Sequence, residues 1–83
     1  MAQTHKARYN SFMDRITIIA DVRGGRPVIV GTRITVSEVL EMLGSGMTEF
    51  DIIEAFPNLS PEDVRAALAY AAREFDHPVI AAQ

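Results

Sequence analysis

Three hydroxyl residues, Thr35, Thr48 and Ser60, divide residues 35–75 of this 83-residue chain into short helical segments. Thr35 precedes Val36, Val39, Leu40 and Leu43, an i, i+3, i+4, i+7 stripe that a helix gathers on one face. Glu38, three residues after Thr35, completes a T-x-x-E capping box, and Gly44 reads as the C′ glycine that ends the helix before a Ser45-Gly46 connector. Thr48 caps a second helix with Asp51 as a weaker box partner, and Met47 staples onto Ile52. Its expected buried face is Ile52, Ile53 and Phe56, and Pro57 stops it by pushing the preceding residue out of the helical region. Ser60 caps a third helix whose first position is Pro61, where a missing N–H costs nothing, and Leu59 pairs with Val64 as a second staple. Val64, Leu68, Ala71, Ala72 and Phe75 are its expected apolar face, Glu62 and Asp63 suit the positive end of its dipole, and His77-Pro78 breaks it. The second and third helices, about 49–56 and 61–75, have helix-turn-helix proportions.

Ahead of the helices, the β-branched run Arg15–Ala20 reads as a strand, Gly24-Gly25 as a turn, and Pro27–Val30 as a second strand. A lone two-stranded ribbon is barely stable in water, so it must pack on the helices or on another chain. The expected fold is therefore α+β and mostly α: a short N-terminal β ribbon followed by a three-helix unit. The domain plan is a flexible basic arm over 1–13, one domain over 14–77 and a short tail over 78–83.

A chain of this length buries only roughly 60–65% of the surface its unfolded form exposes. With no cysteine, neither disulfides nor thiolate metal sites can compensate, and a homodimer built through the ribbon is the expected remedy. The longest apolar run, Ala66–Ala72, is far short of a membrane span, and no secretory signal precedes it, so a cytoplasmic location without membrane contact is expected.

No catalytic constellation emerges, and no enzyme activity, cofactor or small-molecule substrate is expected. Gly24-Gly25-Arg26-Pro27 and Gly31-Thr32 are split by a strand and followed by no lysine, so they read as turns and not as a phosphate loop. Asp21, His5 and His77 lack metal-ligand spacing. Arg33 has two readings: it grips a phosphate or a partner carboxylate, or it ties the strand to helix carbonyls or to Glu38 or Asp21, with the structural role favoured.

Charge is divided along the chain. Residues 1–33 carry six Lys or Arg against two Asp, net +4; residues 34–83 carry two Arg against nine acids, net −7. The third helix opens Pro61-Glu62-Asp63, which would set carboxylates against phosphates. Any DNA contact is therefore expected from Lys6, Arg8, Arg15, Arg23, Arg26 and Arg33.

The run Gly25-Arg-Pro-Val-Ile-Val-Gly-Thr-Arg-Ile-Thr-Val36 resembles the signature G-x-P-x-I-x-G-T-R-I-x-V of the bacterial domain-of-unknown-function 433 family. Gly25, Pro27, Ile29, Gly31, Thr32, Arg33, Ile34 and Val36 match it, and the likeness continues through Phe56-Pro57-Asn58-Leu59-Ser60 to Ala71, with Phe56 where many members have tyrosine. The resemblance implies a homeodomain-like trihelical fold behind a short β region. It also implies a neighbouring PIN-type nuclease toxin, and hence an antitoxin that binds its own promoter DNA; the alternative is a protein-binding adaptor without DNA contact. It brings no catalytic residues, and it makes Gly31-Thr32-Arg33-Ile34 a candidate partner-binding or structural motif.

Overall fold

The computed structural model describes residues 14–76. Strands β1 (Ile16–Thr17) and β2 (Val28–Ile29) are followed by helices α1 (Val36–Gly44), α2 (Glu49–Ala55) and α3 (Pro61–Glu74), with a single 3-10 turn at Arg23–Gly25 between the strands. The architecture is the α+β, mostly helical arrangement expected. The arm over 1–13 and the tail over 78–83 lie outside the described residues.

The strands pair antiparallel, Ile16 opposite Ile29 and Thr17 opposite Val28. Both are shorter than their β-branched runs suggest, and the hydrogen bonds say why. The Val30 N–H donates to the Arg15 carbonyl at 2.8 Å, so in this register the next outward rung would need the Ile19 carbonyl and the Arg26 N–H. Both groups are taken by turns: the Ile19 carbonyl accepts from Val22 at 2.9 Å, and the Arg26 N–H donates to Arg23 at 3.4 Å. Ile18 and Ile19 therefore leave the ladder and are exposed.

A further extended piece, unannounced by the pattern, joins on the other side of β2. The Ile29 N–H donates to the Ile34 carbonyl at 2.9 Å, the Val36 N–H donates to the Pro27 carbonyl at 3.0 Å, and Thr35 bridges Val28. The N-cap of α1 is thus also a rung of the sheet.

All three helices begin with a complete capping box. Thr35 Oγ1 accepts from Glu38 N–H at 3.0 Å while Glu38 Oε1 accepts from Thr35 N–H at 2.9 Å. Thr48 with Asp51 and Ser60 with Asp63 repeat the exchange. Helix α1 ends two residues later than Gly44 suggests. Gly44 is helical, and the left-handed C′ position belongs to Gly46 at φ +104°. The Met47 N–H reaches the Met42 carbonyl and the Gly46 N–H the Leu43 carbonyl, both at 3.1 Å, a Schellman ending that needs its glycine one residue past the cap.

The core is one cluster: Ile29, Val36, Val39, Ile52, Leu59, Val64 and Ala67, with Ile16, Leu40, Met47 and Tyr70 packed against it. Both staple pairs contribute to it. Two expected faces are corrected. In α2 Ile52 is buried and Ile53 half-buried, but Phe56, the C-cap, is exposed. In α3 the buried side is Asp63, Val64, Ala66 and Ala67, whereas Leu68, Ala72 and Phe75 are exposed. The helix is turned by about the 100° that separates successive residues. Small side chains at Ala66 and Ala67 let it approach its neighbours closely, and the inward Asp63 is satisfied by its box and by Arg15. Among the described residues no helix is long and apolar enough to cross a membrane.

Thr35 is both cap and fully buried, at 1% exposure. Thr35→Ser should therefore retain most stability, Thr35→Ala should lose about 1 kcal/mol, and Thr35→Asp should lose more, because its carboxylate enters a dry site beside Glu38. Urea denaturation that ranks Asp level with Ser would contradict this assignment.

Candidate binding surface

Among the described residues, two of the candidate cations, Arg15 and Arg23, are engaged by acids of the fold. Arg15, entering β1, donates from Nη1 to Asp63 Oδ1 at 3.0 Å, with side-chain exposures of 40% and 12% for the two partners. Asp63 Oδ2 meanwhile accepts from the Ser60 N–H at 3.0 Å, so one carboxylate closes the α3 box and holds the ribbon. Arg23 opens the 3-10 turn at φ +51°, a left-handed conformation unfavourable for a residue with a Cβ. From there its guanidinium takes Glu38 in a two-point grip, Nη1 to Oε1 at 3.0 Å and Nη2 to Oε2 at 2.9 Å, and Nη1 also donates to the Arg33 carbonyl at 2.8 Å. The Arg23 hydrogen bonds, and next the Thr35 amide, hold the Glu38 carboxyl down at about 2, against an ordinary 4.5; the same pairing raises the Arg23 guanidinium.

The Gly31-Thr32-Arg33-Ile34 motif is the loop that returns β2 to α1. Gly31 takes φ +83°, which lets the chain reverse. Thr32 Oγ1 donates to the Ile29 carbonyl and accepts from the Ile34 N–H, both at 2.9 Å, and Ile34 packs against the core. Of the structural ties read for Arg33, to helix carbonyls, to Glu38 or to Asp21, the one to Glu38 is made by Arg23 instead, and Arg23 also donates to the Arg33 carbonyl. Arg33 is exposed and lines an open cleft of about 500 Å³ together with Ile34, Glu41, Met42 and Phe56. Nothing in the spacing separates Arg23 from Arg33 as partner for Glu38; only the left-handed turn does.

Arg26 is also exposed, and among the described residues neither it nor Arg33 has an ion-pair partner. Lys6, Arg8, His5 and His77 lie outside the described residues. On the helical side, Arg65 lies against Glu49, with Nε 3.4 Å from Oε2, and Phe50 beside it is 68% exposed among Glu49, Asp51 and Glu54. A second, more apolar groove runs between α1 and α3, lined by Pro27, Val36, Leu40, Tyr70 and Phe75. Burial, and then the charge of Glu74, raises the Tyr70 phenol.

From the sequence, Asp63 is assigned only to the helix dipole. Its S-x-x-D spacing from Ser60 is the available signal for the third box, but the arrival of Arg15 from 48 residues away has none.

Comparison with known proteins places these features. The model of the family described as protein of unknown function (DUF433) matches residues 16–71. An uncharacterized protein of Sinorhizobium fredii, y4eO, is 38% identical over 56 residues, which is 68% of this chain and 25% of that protein. The chain thus spans about a quarter of the length of this curated relative. The crystal structure of a DUF433 member from Anabaena variabilis superposes with a TM-score of 0.71 at 25% identity, covering 87% of this chain and 71% of that one.

Because the folded state holds Glu38 below its ordinary 4.5, its ion pair contributes fully above that value and is lost as pH falls from 4.5 toward about 2. Urea midpoints across this window should fall more steeply for the native chain than for Glu38→Gln. Equal slopes would show that the grip does not survive in solution.

Proposed function

The chain belongs to the DUF433 family, and from that premise we propose that it is a regulatory binding module of the antitoxin type, acting by recognition and not by catalysis. It works in the cytoplasm, contacting promoter DNA through its N-terminal half and a PIN-type nuclease through its helices. No cofactor, metal or small-molecule substrate has a part in this reading. The observation that carries it is the sorting of charge. With Arg15 and Arg23 held by Asp63 and Glu38, Arg26 and Arg33 are the described arginines of the ribbon half left for phosphates, together with Lys6 and Arg8. The start of α3 keeps its carboxylates, so the arginine loops suit DNA better than that helix end does.

A second reading, a protein-docking adaptor without DNA contact, is favoured by one observation. Exposed Phe50 sits among acids on α2, a combination suited to a basic protein surface.

A salt titration of binding to the DNA upstream of its own gene tests the first reading. Arg26→Ala and Arg33→Ala should each reduce the slope of log affinity against log salt by about 0.9 for every phosphate the arginine neutralises. Arg65→Ala should leave it unchanged. No binding at low salt would exclude the DNA contact and leave the adaptor.

A further inference from the structure

Among the described residues, one side of helix α3 is left uncovered. Pro61, Arg65, Leu68 and Ala72 recur at i, i+4, i+7 and i+11 and are all exposed, and Phe75 continues the stripe at 77% exposure. Leu68, at 47%, is its centre. This is the side that α3 would present as a recognition helix, yet it offers Leu68, Ala72 and Phe75, with Arg65 held by Glu49, chemistry suited to protein and not to phosphate.

The order of residues along the stripe says what fits it. A cation, Arg65, stands toward its N-terminal end, a large and a small apolar residue in its middle, and an aromatic and an acid, Phe75 and Asp76, at its C-terminal end. Turned end for end, this pattern complements itself. A parallel copy would instead stack Arg65 on Arg65.

We propose that α3 pairs antiparallel with α3 of a second copy, across a two-fold axis passing between Leu68 and Ala72. In this pairing Leu68 sits on the partner's Ala72, large against small. Arg65 meets the partner's Phe75 face and the partner's Asp76, while it keeps Glu49 on its own side. The interface is isologous, so each contact occurs twice, and opposed helix dipoles favour it. It supplies the second copy that the small, cysteine-free core calls for at a helix, where the sequence suggests the ribbon. Strand β1, at two residues, has little edge to offer. The proposal is independent of whether DNA is bound.

The chain has no cysteine, so introduced thiols report unambiguously. Leu68→Cys and Ala72→Cys are prepared singly, mixed, and bridged with a short bis-maleimide. The mixed product should dominate over either self-linked product. Light scattering of the native chain should give twice 9.1 kDa. Leu68→Glu alters an exposed position, so circular dichroism should confirm a folded chain, while dimer dissociation rises about tenfold or more. Asp76→Arg should weaken the dimer by setting arginine against arginine, and adding Arg65→Glu should restore it. A native monomer at every concentration would overturn the proposal. So would self-linked Ala72→Cys as the main product, or a dimer indifferent to Leu68→Glu but dissolved by Ile18→Asp.

Discussion

A carboxylate at the third position of a helix can accept from the backbone N–H at the cap and from a distant cation at the same time, and this fold uses that capacity twice. Glu38 closes the start of α1 and receives Arg23; Asp63 closes the start of α3 and receives Arg15. The ribbon and the helices are thereby tied at two helix starts, by side chains whose geometry the capping boxes have already fixed. Magnitudes assign the roles. A cap is worth about 1 kcal/mol and a half-exposed ion pair about 0–1 kcal/mol, whereas burying a Val or Ile side chain is worth about 1.5–3 kcal/mol. Stability therefore comes chiefly from Val28, Ile29, Val36, Val39, Ile52 and Val64, and the clamps decide how the ribbon that carries Val28 and Ile29 is set against the helices.

The same clamps shape what the surface can recognise. Net charge per segment overstates the cations on offer, because Arg15 and Arg23 are neutralised within the fold. Arg26 and Arg33 stand out from the turn and the loop on either side of β2, while acids and Phe50 occupy α2. The matched family region includes Arg23, Arg26 and Arg33, and Arg15 lies one residue before it. The Thr32 hydrogen bonds and the positive φ of Gly31 are accounted for by the reversal of the chain; the Arg33 side chain is the part of the motif that the loop itself does not require.

What was legible in the sequence was what is decided within four residues. The caps at Thr35, Thr48 and Ser60, the two staples and the order of elements all follow from local chemistry. The strand ends were not legible, because they depend on which turn captures the Ile19 carbonyl and the Arg26 N–H. The rotation of α3 was hidden because alanines fill both sides of it, so the apolar pattern from Ala66 to Ala72 has no clear direction. Gly44 and Gly46 compete for one ending, and only the bond from Met47 to Met42 decides between them. The exchange of roles between Arg23 and Arg33 is likewise a long-range outcome: both precede Glu38, and a left-handed turn selects the farther one.

The claim that ribbon arginines are structural through shared cap carboxylates is tested most directly by a double-mutant cycle at the less exposed carboxylate. Arg15→Ala, Asp63→Asn and the double variant are unfolded in urea; asparagine keeps an acceptor for the Ser60 N–H, so the cycle isolates the arginine interaction. A favourable coupling of about 1 kcal/mol is predicted. Additivity within about 0.3 kcal/mol would contradict the account, since it would mean that Arg15 contributes nothing through Asp63 and belongs with Arg26 and Arg33.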